Sequence, residues 1–386
     1  MMIERLIGTE LKQSEKSILL LGARQTGKST LVRGLAPDLE IDLADQQVYL
    51  AHLTDAGLLR REIRESKTIF IDEVQRIPSL LNTVQSLIDH DRSLKFLLTG
   101  SSARKLRRGQ ANLLPGRLFT YEMGPLSPLE LKAEFDLRTA LKVGLLPGAY
   151  LSDSKKSAEK LLRTYSATYL KEEVQAESLT RNLEGFSRFF EVCASRSGDW
   201  MDFSKFASQA MIQRVSAQRY FEILVDTLVV HAIEPFAKSA KRRLVQHPRF
   251  FFFDVGVLNG ALSNFSASPD RIGNLFEHLV LQSIKSTAAG LDLDTRITGY
   301  RTEAGAEVDF IVEIADHLFA IEVKASANIG KSDFRGLKSF AEFHGRKHHP
   351  LVITTGERPQ RWDDVHILSL AEALKFIFET STGKRL

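Results

Sequence analysis

The feature that most constrains the fold of this chain is an eight-residue stretch near its amino terminus. Residues 22–29 read GARQTGKS and satisfy the pattern G-x-x-x-x-G-K-[ST] at every position. A short apolar run precedes the stretch, and a helical pattern follows it. Glycines let backbone N–H groups approach phosphate oxygens, and the start of a helix favours negative charge. The stretch therefore predicts a phosphate-binding loop between a strand and a helix.

The residues of this loop have distinct expected roles. Lys28 supplies positive charge to the β- and γ-phosphates of a nucleotide, and the Ser29 hydroxyl coordinates Mg²⁺. The backbone and the neighbouring side chains complete the contacts. The predicted nucleotide-binding residues are Gly22, Ala23, Arg24, Gln25, Thr26, Gly27, Lys28, Ser29 and Thr30.

An apolar strand that ends in two carboxylates supplies the second half of the predicted site. Residues 68–71 are followed by Asp72 and Glu73. Ligands of open parallel sheets bind at the carboxyl ends of the strands, so both acids are expected beside the phosphate-binding loop. Asp72 is expected to hold Mg²⁺ through water, and Glu73 to polarise the attacking water. This pair favours hydrolysis over phosphoryl transfer to a metabolite.

Short apolar runs alternate with helical patterns over the first ~130 residues, which indicates a parallel sheet with crossover helices. Strands are predicted at residues 17–21, 39–43, 68–71, 95–98 and 118–121, and helices at 28–35 and 79–88. Prolines and glycines between residues 115 and 148 then interrupt the pattern. We place the end of a first domain, residues 1–135, in this region.

The middle of the chain is almost wholly helical in its periodicity. Two short helices precede two strand-like runs, residues 228–233 and 249–253, which we expect to pair as a β-hairpin. This layout is typical of a winged helix, although a structural spacer is the alternative. From residue 271 another α/β unit follows. The predicted second and third domains are residues 136–260 and 261–386.

A carboxylate–lysine cluster marks the third domain. Glu322 and Lys324 project from the same face of a predicted strand, and Asp309 can meet them if its own strand pairs in a hairpin. Two carboxylates and a lysine suit a hard cation such as Mg²⁺. Glu277, on the preceding predicted helix, is a fourth candidate. This is the D-x(n)-E-x-K pattern of the PD-(D/E)xK nuclease fold, for which an inactive fold or a surface charge ladder is the alternative.

Ordered motifs along nearly the whole chain resemble the prokaryotic AAA-family ATPases with a C-terminal DUF4143 domain. The resemblance implies ATP as the nucleotide and an α/β chain in three parts. These are an N-terminal AAA+ parallel sheet with flanking helices, a central helical winged-helix segment and a C-terminal restriction-endonuclease-like α/β domain. The matching residues are 22–30, 69–78, 98–102, 116–117, 124–127, 143–147, 194–198, 253–256, 307–309 and 321–324.

The resemblance also implies further catalytic residues. The run at 96–98 ends in hydroxyls and is similar to the sensor-1 strand of AAA+ ATPases, where either Thr99 or Ser101 would contact the γ-phosphate or the attacking water. Arg117 lies just before the fifth predicted strand, at the place of the arginine finger that AAA+ proteins insert into a neighbouring subunit's site. A capping or salt-bridging arginine is the alternative. The resemblance therefore predicts a ring-like homo-oligomer.

Charge and composition restrict the partners and the compartment. The net charge of +4 and the basic clusters at residues 104–108 and 238–243 are compatible with DNA, although solvated loops are the alternative. No apolar run approaches the ~20 residues that cross a bilayer. One cysteine and no visible secretory signal predict the cytoplasm.

The leading hypothesis is a Mg²⁺-dependent ATPase that couples turnover to DNA binding or remodelling. Two alternatives remain at this point. One is a nucleotide-switched protein-interaction module with an inactive nuclease-like domain. The other is an ATP-gated, Mg²⁺-dependent nuclease.

Overall fold

The computed structural model describes residues 3–101, 116–169, 183–236 and 247–386. The basic clusters at residues 104–108 and 238–243 lie outside these ranges, as does Ser102 at the end of the sensor-like motif. The fold is mixed α/β, with a parallel sheet at the amino terminus and a mixed sheet at the carboxyl terminus.

The amino-terminal part is a five-stranded parallel sheet with helices around it, as the sequence predicts. The strand order is β2-β3-β4-β1-β5. The strands are β1 Ser17–Leu21, β2 Leu39–Asp42, β3 Thr68–Asp72, β4 Lys95–Gly100 and β5 Leu118–Glu122. The helices are α1 Gly8–Gln13, α2 Lys28–Arg33, α3 Gln46–Thr54, α4 Leu58–Glu62 and α5 Leu80–His90, and a 3₁₀ turn spans Val74–Arg76.

Both faces of this sheet are buried, which is why its central strands are apolar without alternation. One face, which includes Leu19 and Ile71, packs against the apolar side of α5. The other face, which includes Leu20 and Phe70, packs against α1 and α2 through Leu11 and Val32. Helices on both faces leave the strand ends as the accessible edges of the sheet.

A helical segment follows the first sheet. Its helices are α6 Pro128–Leu131, α7 Leu137–Val143, α8 Pro147–Tyr150, α9 Lys155–Thr164, α10 Leu183–Ser195, α11 Phe203–Gln209 and α12 Arg214–Asp226. A 3₁₀ turn spans Lys132–Glu134, and a π-helical turn, Tyr165–Tyr169, extends α9. Strands β6 Val230–Pro235 and β7 Arg249–Phe252 pair antiparallel, with Val230 opposite Phe252.

The hairpin of β6 and β7 forms one edge of the carboxyl-terminal sheet. The sheet has eight strands in the order β12-β13-β11-β10-β9-β8-β6-β7. Its other strands are β8 Thr295–Arg301, β9 Glu307–Ile314, β10 His317–Lys324, β11 His349–Thr354, β12 Gln360–Trp362 and β13 Val365–Ser369. The helices of this part are α13 Val255–Ala261, α14 Ile272–Gly290, α15 Arg335–His344 and α16 Leu370–Thr382, and a 3₁₀ turn spans Lys331–Phe334.

A buried carboxylate ties the helical segment to α14. Asp254 accepts hydrogen bonds from the backbone of Leu145 at 2.7 Å and from the Gln282 side chain at 2.7 Å. Burial raises the pKa of Asp254 to about 6. Gly144 has a φ of +67°, and a Cβ there would meet the Asp254 carboxylate at 2.1 Å, so only glycine fits.

In the described part of the chain, none of the helices is both long and apolar enough to pass through a bilayer.

Candidate nucleotide-binding site

The predicted phosphate-binding loop connects β1 to α2. Gly27 has a φ of +95° and directly precedes α2, where the first backbone N–H groups of a helix lack acceptors within the helix. Gly22 lies against the end of β5, where a Cβ would meet the Met123 carbonyl oxygen at 2.2 Å. The Thr26 hydroxyl donates to the Ala23 carbonyl at 2.9 Å and closes the loop. These backbone requirements explain the glycines of the motif.

The Lys28 ammonium points back into the loop. Its Nζ donates to the carbonyl oxygens of Gly22 at 2.8 Å and Ala23 at 2.9 Å, and the residue is 5% exposed. Burial lowers the pKa of Lys28 to about 8, while the charges of Glu73 and Asp72 oppose this shift. The loop therefore holds the Lys28 ammonium next to the start of a helix. The ammonium and the N–H groups of the helix start are donors that fit a polyphosphate.

Arg5 supports the loop from outside, and the sequence reasoning missed it. Its guanidinium donates to the Thr26 carbonyl at 2.7 Å and to the Gly124 carbonyl at 2.8 Å, and it pairs with Glu130 at 2.9 Å. Glu130 also completes the capping box of α6 with Ser127. The S-x-x-E pattern of that box could have identified Glu130. No local pattern identifies Arg5.

The structure brings Asp72 and Thr99 together. Strand β4 lies between β1 and β3, so the carboxyl end of β4 separates the phosphate-binding loop from Asp72. The Thr99 hydroxyl donates to Asp72 Oδ1, and the Glu73 backbone N–H lies 3.1 Å from the same oxygen. Of the two sensor candidates, Thr99 contacts Asp72, whereas Ser101 lies near Gln75. Both hydroxyl residues are buried.

A glutamine that the sequence reasoning missed positions the Glu73 side chain. Glu73 has a left-handed backbone, with a φ of +56°, at the start of the 3₁₀ turn. Its carboxylate accepts a hydrogen bond from Gln75 Nε2, and the same amide nitrogen donates to Ser101 Oγ at 3.0 Å. The left-handed backbone of Glu73 and the hydrogen bond from Gln75, which Ser101 in turn holds, thus fix the direction of this carboxylate.

Arg117 lies at the end of the sheet where β1 and β5 begin, whereas the loop lies at the end where β1 finishes. Strand β5 runs parallel to β1 and pairs Leu118 with Ser17, at the start of both strands. The loop follows the other end, about 13 Å away at 3.3 Å per residue. The Arg117 guanidinium pairs with Asp89 at 2.7 Å on the surface. Arg117 therefore does not reach the loop of its own subunit.

The predicted carboxylate–lysine cluster forms around an additional arginine. Strands β9 and β10 pair antiparallel, as expected, and Lys324 Nζ lies 2.8 Å from Glu322 Oε1. Arg249 Nη1 lies 2.7 Å from Glu277 Oε1 and 3.8 Å from Asp309 Oδ1. Burial raises the pKa of Glu277 and of Glu322, and the neighbouring charges of Arg249 and Lys324 oppose this shift.

The cluster does not have the arrangement of a metal cage. Across the described ranges, no group of three or more His, Cys, Asp or Glu side chains is placed to hold a metal ion. The sequence reasoning predicted a cation at this position but missed the arginine, because Arg249 belongs to a strand far from the motif in sequence.

Comparisons with known proteins assign families to three segments of the chain. Residues 14–132 match the family model of an AAA domain. Residues 134–268 match a domain of unknown function, DUF8612, and residues 272–373 match a second one, DUF4143.

Curated relatives were found in two mycobacteria. Uncharacterised proteins of Mycobacterium tuberculosis and Mycobacterium bovis are each 26% identical over 319 residues, which cover 80% of this chain and 70% of the relative.

Solved structures give weaker likenesses. A Walker-type ATPase of Pyrococcus abyssi has a TM-score of 0.44 at 15% identity and covers 67% of this chain and 93% of its own. A structure of the replication initiator DnaA with AMPPCP and single-stranded DNA has a TM-score of 0.27 at 12% identity and covers 57% of this chain and 86% of its own. TM-scores below 0.5 do not establish a shared fold.

The family matches confirm the resemblance on which the sequence reasoning relied. An AAA domain with an intact phosphate-binding loop implies nucleotide binding and places the chain among the P-loop NTPase-like proteins. The chain therefore carries an AAA domain at residues 14–132 and a DUF4143 domain at residues 272–373, as the resemblance implied.

Proposed function

We propose that this protein is a Mg²⁺-dependent ATPase that couples turnover to DNA binding or remodelling. The observation that carries the proposal is the convergence of Lys28, Asp72, Glu73 and Thr99 at the carboxyl edge of the parallel sheet. These residues come from the loop and from the ends of β3 and β4, so their meeting depends on how the strands are ordered in the sheet. A structural lysine in a chance glycine turn would not require two acids and a hydroxyl beside it.

The loop would bind the triphosphate of ATP. The backbone N–H groups at the start of α2 and the Lys28 ammonium provide positive charge there. Lys28 exchanges the loop carbonyls, which it now contacts, for phosphate oxygens. Arg5 holds the loop backbone in place through the Thr26 carbonyl during this exchange.

Ser29 and Asp72 would hold the metal ion. Ser29 follows Lys28 at the start of α2, and Asp72 presents a carboxylate already fixed by Thr99. Hydroxyl and carboxylate oxygens are the ligands that Mg²⁺ prefers. When bound, the ion neutralises charge that develops on the phosphate oxygens.

Glu73 would act on the attacking water. Its carboxylate accepts a proton or a hydrogen bond from that water, and Gln75 and Ser101 fix its direction. The Thr99 hydroxyl would contact the γ-phosphate or the same attacking water. The domain division at 1–135, 136–260 and 261–386 assigns these groups to the first domain.

DNA, a homo-oligomer and a cytoplasmic location complete the proposal. The segment that connects β6 to β7 carries the basic cluster at residues 238–243, which suits a phosphate backbone. Arg117, at the edge of the sheet away from its own loop, suits a site that two subunits share.

The test measures phosphate release by the purified chain with Mg²⁺, alone and with duplex, branched or single-stranded DNA. We expect turnover that Lys28→Ala abolishes, that an exposed lysine of the same domain, Lys12→Ala, does not affect, and that DNA changes. DNA binding should weaken steeply with salt. Absence of any nucleic-acid effect would contradict the DNA part and favour a nucleotide-switched protein partner. Absence of ATP binding would contradict the whole proposal.

The affinity for ATP is expected to fall as the pH rises through about 8, the pKa of Lys28. Phosphates favour the ammonium form, so a neutral Lys28 must take up a proton on binding. This uptake weakens binding by at most about tenfold per pH unit above that pKa. Titration calorimetry from about pH 7 to about pH 9.5, in two buffers of different ionisation enthalpy, measures both the affinity and the proton uptake.

A matched variant separates this effect from other titrating groups. Lys28→Arg keeps its charge over the whole range, so its affinity, although weaker, should not depend on pH in this way. A wild-type affinity that is constant across pH 8, or equal proton uptake by both proteins, would contradict the role of Lys28.

A further inference from the structure

Four carboxylates of the C-terminal part converge on one position. Glu277 comes from α14, Glu307 and Asp309 from β9, and Glu322 from β10. All four side chains are partly buried. Like charges this close repel each other in a region of low dielectric, so the cluster requires compensating positive charge.

Arg249, from β7, supplies that charge from inside the protein. Its side chain is 7% exposed. Its Nη1 lies 2.7 Å from Glu277 Oε1, 3.7 Å from Glu307 Oε1 and 3.8 Å from Asp309 Oδ1. Three of the four carboxylates therefore surround one guanidinium nitrogen. The fourth, Glu322, pairs with the Lys324 ammonium at 2.8 Å.

Several contacts fix the guanidinium in this position. Arg249 Nε donates to the Gly198 carbonyl at 2.9 Å. The group lies 5.0 Å from the ring centre of Phe251 and 5.9 Å from that of Trp200. The Trp200 indole N–H donates to Glu307 at 3.2 Å, so the same residue also holds one of the carboxylates. Arg249 is thus a built-in part of the cluster.

The arrangement does not fit a divalent cation. A hard cation needs several oxygen ligands free to approach within about 2.0–2.6 Å. Here three of the carboxylates face a guanidinium and the fourth faces an ammonium, and Asp309 Oδ2 also accepts the Val323 backbone N–H at 2.7 Å. A second positive group at the centre would meet Arg249 at close range.

We propose that Arg249 occupies the position of the divalent cation in this nuclease-like cluster. The carboxylates then bind the Arg249 side chain, and these ion pairs hold the β6–β7 hairpin against β9 and β10. The DUF4143 domain of this chain consequently does not cleave nucleic acid with Mg²⁺. This inference concerns the C-terminal cluster alone and does not depend on ATP hydrolysis.

The test measures Mn²⁺ binding by the full chain without nucleotide, using the loss of free-ion signal in electron paramagnetic resonance. Wild type and Asp309→Asn should bind Mn²⁺ equally weakly, because no metal site uses Asp309. Arg249→Met removes the internal cation and keeps an apolar stem. We expect this variant to gain a Mn²⁺ site with at least about tenfold higher affinity than wild type, since the freed carboxylates require a cation.

A thermal readout and three further variants complete the test. Mn²⁺ should raise the melting temperature of Arg249→Met, and Asp309→Asn in that background should remove the increase. Arg249→Lys keeps the charge and should resemble wild type. Arg296→Met, at an exposed arginine that pairs with Glu313, is the matched control and should gain nothing.

Two metal-binding outcomes would overturn the proposal. One is a Mn²⁺ site in wild type that Asp309→Asn removes, and the other is an Arg249→Met variant that folds and gains no Mn²⁺ affinity. If Arg249→Met does not fold, the comparison of wild type with Asp309→Asn decides by itself. DNA cleavage by wild type with Mg²⁺ that Asp309→Asn abolishes would overturn it equally.

Discussion

Replacing Glu73 by glutamine is expected to reduce ATP turnover by about 10²–10⁴-fold, the range found when a general base is lost. ATP binding should remain, because Lys28 and the loop backbone are unchanged. Glutamine has the shape of glutamate, and its amide oxygen still accepts the hydrogen bond from Gln75. It cannot accept a proton from water at neutral pH. The variant therefore removes the chemistry and keeps the position.

Single-turnover phosphate release and ATP affinity, both near pH 7, measure the two parts of this prediction. The pH matters because Glu73 is one of the charges that support the ammonium form of Lys28. Glu65→Gln, at an exposed acid of the same domain, is the control and should retain full turnover. A Glu73→Gln variant with normal turnover would show that another group activates the water.

The features that the sequence predicts correctly are those that a short stretch of chain determines. The loop follows from its glycines, since only they permit the close contact with β5 and the positive φ before α2. The strands of the first sheet follow from apolar runs that end in polar residues. The positions of Lys28 at the start of a helix and of Asp72 at the end of a strand could therefore be predicted without a structure, whereas their roles in the site stay predictions.

The features that the sequence did not predict depend on contacts between distant segments. Arg5 contacts Gly124, 119 residues later. Arg249 of β7 meets Asp309 of β9, although β6 and β8 lie between these two strands in the sheet order. Neither arginine belongs to a periodic pattern or a motif. A cluster of acids predicts a cation, but the sequence alone does not show whether that cation is a metal ion or a side chain.

The position of the β6–β7 hairpin illustrates the same limit. Its strands were predicted from their apolar residues, and they do pair. The parallel pairing of Glu234 with Thr298 of β8 joins the hairpin to the C-terminal sheet. This contact brings Arg249 of β7 to the carboxylates of β9. A division of the chain into consecutive segments does not show that one sheet continues across the boundary.

Replacing Arg117 by alanine is expected to lower ATP turnover by about 10³-fold, the smaller effect measured for arginine fingers. The folded state and ATP affinity should change little, because the Arg117–Asp89 pair lies on the surface and exposed ion pairs contribute little to stability. Asp89→Asn provides the control, since it breaks the same ion pair and keeps the guanidinium. An Asp89→Asn variant that loses as much turnover as Arg117→Ala would show that the pair is merely structural.

A mixture of two inactive variants tests whether Arg117 acts on a neighbouring subunit. Lys28→Ala subunits lack the loop cation and keep Arg117, whereas Arg117→Ala subunits have the opposite defect. If subunits mix at random in a ring, about one quarter of the sites combine an intact loop with an intact arginine from the neighbour. Turnover should then recover to about that fraction of wild type. An arginine that acts within its own subunit could not produce this recovery, because every subunit of the mixture lacks either the loop lysine or the arginine. A mixture as inactive as its two components would contradict a shared site.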